Sequence, residues 1–176
     1  MSALEREFRA HIEDWAGPLG PFRSMEELDN ARLRFAREIG TEGLDACIRE
    51  VSAWGRDDPL TNEYVTEAVD FFLRVVELGH GRALSEAVMR LLRSDGPPAL
   101  LDIWGLCGSR EQTTDVLRIV NRFSGDEDLN LALAGALGDI GGAGAVEALQ
   151  QIRAQAQGEE LVSDVDLALT KLNRDR

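Results

Sequence analysis

The sequence predicts an all-α chain of about ten helices, organised as a single domain over residues 1–176. Three observations predict it. Almost every window carries apolar residues at spacings of three and four, the period of a helix with one buried face. No window alternates apolar and polar residues over a strand's length. Two short turn signatures also recur in alternation, each roughly 30–40 residues apart, as in a stack of helical repeats.

The elements follow in order. "MSALEREFRAHIEDW" opens an amphipathic, charged helix at 3–15, and a second at 25–39 stops in "REIG". Helix 42–54 runs into the acidic turn "GRDDP". Helix 61–78 buries Val65, Ala68, Val69, Phe72 and Val76, shows a polar stripe of Glu63, Glu67, Asp70, Arg74 and Glu77, and stops in "VELG". Helix 82–93 runs into "RSDGPP", and helix 97–107 stops in "GLCG". Helix 110–122 runs into "SGDED", and helix 127–140 stops in "GDIG". Helix 143–156 runs into "QGEE", and helix 160–172 closes the pattern.

Each signature has a physical reason. Gly40, Gly79, Gly108 and Gly141 suit helix ends, where a left-handed residue closes the last turn without a Cβ clash. The acids of the other turns suit helix starts, where they cap free N–H groups and meet the positive end of the dipole. Pro59, Pro97 and Pro98 fit in or just before a first turn. The unit is therefore helix, acidic turn, helix, glycine turn. Four units cover 42–79, 82–108, 110–141 and 143–172, with 1–40 as a divergent N-terminal helical pair or cap.

The stretch "GDEDLNLALAGALGDIGG" (125–142) tests this pattern against ligand motifs. Asp126, Asp128 and Asn130 are spaced like the first ligands of a calcium loop. That loop needs Gly at its sixth position and Glu at its twelfth, where this chain has Leu131 and Leu137. A dinucleotide turn would follow a strand, and a P-loop would end in Lys-Ser/Thr; neither holds here. The stretch is read as an acidic turn, a helix and its glycine stop. Gly135 and Gly138 make that helix slim, which predicts close packing between repeats.

The residues at 126–152 resemble a bacterial HEAT-like repeat, of the kind also found in phycobilisome-lyase-type proteins. Ala132, Ala136, Leu137, Gly138, Ile140, Gly141, Ala145, Val146 and Leu149 carry the resemblance, and "SDVDLALTKL" (163–172) looks like another second helix. One departure is that the Val-Arg expected at the start of second helices is replaced by Thr61-Asn62, Leu100-Leu101 and Leu129-Asn130. The resemblance implies an α-α superhelix, a HEAT-like α-solenoid with an extended concave surface, and such proteins mostly bind other proteins.

Charge narrows the partner. The chain has 32 acids against 19 bases, a net charge of −13. Nucleic-acid binding needs clustered positive charge, so it is not expected. Residues 126–166 hold 9 acids and the single base Arg153. Such a face solubilises the chain and suits a basic protein partner. No apolar run is long enough for a membrane span, and the N-terminus lacks a signal peptide's apolar core, which predicts a cytoplasmic protein. Cys47 and Cys107 lie in apolar patterns and read as buried thiols. The two histidines, His11 and His80, belong to no metal-spaced cluster. No catalytic, cofactor or metal site is expected, and the chain is read as a non-enzyme.

The function this supports is a protein-interaction module, a scaffold or adaptor. The expected contact residues are Trp54, as an exposed anchor before an acidic turn, and Glu63, Glu67, Asp70, Arg74, Asp102, Asn130 and Asp166 on second helices. Arg49, Arg90, Arg118 and Arg153 recur in first helices, either as a ladder for a partner's carboxylates or as cations favoured by helix C-termini. Trp104, Phe71 and Phe72 are read as buried. Two alternatives are an acidic immunity or antitoxin-type inhibitor of a basic toxin or nuclease, and, from the resemblance alone, a bilin lyase or lyase subunit.

Overall fold

The computed structural model describes residues 1–16, 21–54, 61–94, 96–97, 99–120, 127–142 and 144–174, with the backbone alone at 61, 62, 120 and 128. Among these residues the regular structure is all helical. The helices are α1 (Ala3–Trp15), α2 (Met25–Ile39), α3 (Leu44–Trp54), α4 (Thr61–Val75), α5 (Gly81–Leu92), α6 (Ala99–Cys107), α7 (Thr113–Val120), α8 (Glu127–Ile140), α9 (Ala145–Gln155) and α10 (Glu159–Arg174). A π-turn at Val76–His80 joins α4 to α5, so the ten segments form nine uninterrupted runs among the described residues, one fewer than expected. The expected stop at Gly79 is still present in the backbone, at φ 86°. The chain kinks at that residue.

The chain divides into two compact units, Met1–Leu100 and Leu101–Arg176. In the first, α1 packs on α3 and α3 on α5, while α2 packs on α4. Local sequence starts these helices. Ser2 and Glu5 form a capping box on α1, and Ser24 accepts from the Glu27 N–H on α2. The core between them is aromatic. The Phe8 ring lies 5.8 Å from Trp54, 5.3 Å from Phe71 and 6.0 Å from Phe72, centroid to centroid. Phe71 and Phe72 are neighbours that point about 100° apart, and both are fully buried. This requires cover on two sides of α4. The cover comes from α1, α2 and α3, which all pack on α4; Phe71 meets Phe8 and Trp15 of α1 and Phe35 of α2, and Phe72 meets Phe8. Fully burying each such ring contributes about 1.5–3 kcal/mol.

In the second unit α8 packs on α10 and α9, α9 on α10, and α7 on α8. Small residues set the closest approaches. A Cβ placed at Gly138 would lie 2.8 Å from the Ala168 methyl, and one at Gly105 would lie 3.4 Å from Ala136 Cα. So α8 meets both α6 and α10 through glycine–alanine contacts. Gly135 differs from expectation: it is exposed, with nothing within 4 Å of an added Cβ. It costs the helix stability without gaining a close contact.

The turn after α8 is fixed by α7. The buried Thr113 hydroxyl donates to the Gly141 carbonyl at 2.7 Å, satisfying a helix-end acceptor. Gly40, Gly79 and Gly141 have positive φ as expected, but Gly108 does not. Its glycine answers to space, because a Cβ there would collide with the Trp104 ring and the Ile140 side chain. Trp104 itself is fully buried. Of the thiols, Cys47 is buried while Cys107 is half-buried and donates to the Ile103 carbonyl. The acids of the turns at 55–60 and 121–126, with Pro59 and Pro98, lie outside the described residues.

The two glycines of α8 make a paired prediction. Gly138→Ala is expected to destabilise the chain by about 1–3 kcal/mol through overpacking against Ala168. Gly135→Ala is expected to stabilise it by about 0.5–1 kcal/mol through helix propensity. Urea unfolding of both variants measures the difference.

Candidate protein-binding surface

The face of α4 that carries four of the expected contact residues is built against α2. Glu63, Glu67, Asp70 and Arg74 recur at helical spacing, and Asp29 and Arg32 of α2 meet them. Arg32 sits in the apolar stripe of its helix beside Leu28, Phe35 and Ala36, and its side chain is only 3% exposed. Its guanidinium forks onto Glu67, Nε donating to Oε1 at 2.6 Å and Nη2 to Oε2 at 2.7 Å. Nη1 donates to Asp29 at 2.9 Å, and Nη2 lies 3.3 Å from Asp70. Burial works to lower the Arg32 pKa, but Glu67, Asp29 and Asp70 together outweigh it and the guanidinium is held more firmly charged than usual. Arg74 extends the network to Asp29 at 3.1 Å and to both Glu77 oxygens at 2.8 and 2.9 Å. Its Nε is buried with no partner among the described residues. Four carboxylates face two guanidiniums, so the patch is acidic in excess.

This geometry corrects several expectations. Glu67 is buried in an ion pair and is not available to a partner. Asp70 and Arg74 are engaged with Arg32, Asp29 and Glu77. Glu63, one turn earlier, is exposed. Trp54 is not an exposed anchor: it is buried, stacks on Phe8 at an interplanar angle of 7°, and donates through Nε1 to Glu50 at 2.8 Å. Glu50 also accepts from Arg9. The indole lies inside because its one polar group finds an acceptor one turn back on its own helix.

In the second unit Asp102 of α6 is exposed, Asn130 of α8 half-buried, and Asp166 of α10 paired with Arg153 of α9. Desolvation by neighbouring protein raises the Asp102 carboxyl above its ordinary range, although the residue keeps water contact. The hydrogen bond from Arg153 lowers the Asp166 carboxyl.

The recurring arginines of the first helices also find acids of this chain. Arg49 of α3 binds Glu5 of α1 at 3.0 Å, and Arg90 of α5 binds Asp45 of α3 at 2.7 Å. Arg118 lies 3.7 Å from Asp115 on its own helix. The ladder is real between α1, α3 and α5, and its rungs are intramolecular. The dipole reading fits Arg90, Arg118 and Arg153, which occupy last turns, and not Arg49.

Burial pushes both thiols up to about 12. Among the described residues, no group of three His, Cys, Asp or Glu side chains could hold a metal ion, and no helix is long and apolar enough to cross a membrane. Sequence reasoning missed Arg32, Asp29 and the Arg9–Glu50 pair. The signal for Arg32 was a charged residue at a core register.

No protein-family model, curated protein or solved structure matches this chain.

Two predictions follow from these pairs. Arg32→Met leaves Glu67 buried and unpaired and is expected to cost about 3–5 kcal/mol, while Arg32→Met/Glu67→Leu recovers most of it. A double-mutant cycle by urea unfolding measures the difference. The thiols set a pH window. Free thiols titrate near about 8.5, and their raised folded values mean that the folded state holds protons that the unfolded state releases. The contribution is complete below about 8.5 and is lost as the pH rises toward about 12. Alkylation at pH 8 is expected to be slow in the native state and fast in urea; fast native labelling contradicts this.

Proposed function

We propose that the chain is a small α-solenoid of HEAT-like type that binds another protein and performs no catalysis of its own. One observation supports this above the others. Helices two apart in sequence pack side by side within each unit: α1 on α3 on α5 and α2 on α4 in the first, and α8 on α10 in the second. That alternation is how helical repeats bury their faces while leaving a row of helices open to a partner. The contact residues proposed are Glu63 on α4 in the first unit, and Asp102 and Asn130 on α6 and α8 in the second. A basic partner suits the net charge of −13.

A second reading, an acidic inhibitor that covers a basic enzyme, has one observation in its favour. Arg153 is the only base between 126 and 166, and it is already paired with Asp166. Asp139 is paired with Lys171, so the stretch still carries more acids than bases.

Affinity capture from a lysate of the source cells tests the proposal, using the wild type, Glu63→Arg, Asp102→Arg and a control, Glu147→Arg on the first-helix row. A protein held by the wild type and the control, and about tenfold more weakly by the two second-helix variants, is the expected outcome. Equal capture by all four contradicts the proposed surface, and no capture contradicts the binding reading. Loss at high salt favours the acidic-inhibitor reading.

A further inference from the structure

Within the first unit, a groove of about 350 Å³ lies between α1, α2 and the turn that joins α2 to α3. Leu4, Phe35 and Ile39 line it, together with the carboxylates of Glu7, Glu38 and Glu42. Burial sorts the lining: Leu4, Phe35 and Ile39 are buried or half-buried and lie deeper, and the three exposed acids make the rim anionic. Gly43 closes one end, where a Cβ would lie 2.7 Å from Ile39 Cβ and 3.0 Å from Leu4 Cδ2. The volume is at the small end for ligand clefts.

Several acids of this unit are already paired. Glu5 binds Arg49, Glu50 binds Arg9, Asp45 binds Arg90, and Glu67 binds Arg32. Glu7, Glu38 and Glu42 have no side-chain hydrogen bond and no ion pair among the described residues. They also form no set that could hold a metal ion. An uncharged apolar occupant would desolvate three carboxylates without pairing them, which is unfavourable. An inorganic cation would leave the deeper apolar residues unused. The chemistry that satisfies both parts is an apolar stem ending in a cation with several donors.

We propose that this groove receives an arginine side chain of a partner protein. The stem lies along Leu4 and Ile39 as long cationic side chains do on apolar surface. The guanidinium reaches the rim, where its planar set of five donors can serve more than one carboxylate at once; an ammonium offers three donors from a single point. This inference rests on the protein-binding reading and names what the partner presents.

The test uses n-butylguanidinium as the probe, titrated into the full chain and followed by amide chemical shifts. Saturable shifts confined to residues 4–8 and 35–43 are expected. Binding is expected to fall about tenfold in Glu7→Gln/Glu38→Gln/Glu42→Gln and to hold in Glu147→Gln/Glu159→Gln/Glu160→Gln, which removes the same charge elsewhere. All six positions are exposed, so the variants should fold, and circular dichroism checks that they do. Shifts spread over every acidic face, or equal loss in the two triple variants, overturn the site as mere acidity. Equal binding of guanidinium chloride overturns the role of the apolar residues, and equal binding of n-butylammonium overturns the choice of arginine. The probe needs no natural partner. A failed titration with a captured partner therefore removes the groove alone, while a bound probe with no captured partner removes the interaction reading alone.

Discussion

The fold of the first unit depends on two adjacent phenylalanines. Phe71 and Phe72 cannot share one face of a helix, yet neither is exposed. Their burial requires α4 to be covered over a wide arc, and α1, α2 and α3 all pack on it. Around it α1 packs on α3, α3 on α5 and α2 on α4. Phe8 then sits where four aromatic rings converge, including Trp54. The anchor expected to face a partner is thereby drawn into the core.

Charge in this molecule is mostly organised by the fold. Arg32 enters the core between α2 and α4 and stays charged because Glu67 meets both sides of its fork. Burying such a pair adds little net stability, but leaving either partner alone is costly. It therefore fixes which face of α2 meets α4 and disfavours a shifted register. The Arg49–Glu5 and Arg90–Asp45 rungs do the same on the exposed edge, with much weaker effect. Among the described residues Glu7, Glu38, Glu42 and Glu63 are in no ion pair.

Helix positions were legible in the sequence because strong periodicity and glycine or acidic stops mark them locally. Residues 3–15, 25–39 and 127–140 match the structure at both ends. The break at Gly79 was also legible, and the chain kinks there at a positive φ. Side-chain fates were less legible, because they depend on what a neighbouring helix offers. Glu67 looked like part of a solvated stripe until Arg32 faced it. Trp54 looked exposed at a helix end until Glu50 supplied an acceptor and Phe8 a stacking partner. Gly138 met the expected neighbour in Ala168, whereas Gly135, three residues earlier, points elsewhere and met none.

The account depends most on helices packing two apart in sequence, and proton–proton nuclear Overhauser contacts read that directly. Contacts from the Gly138 α-protons to the Ala168 methyl and from the Gly105 α-protons to the Ala136 methyl are expected, joining α8 to α10 and α6 to α8. Their absence, with contacts only between consecutive helices, would mean that the helices pair as isolated hairpins and that no repeat surface exists.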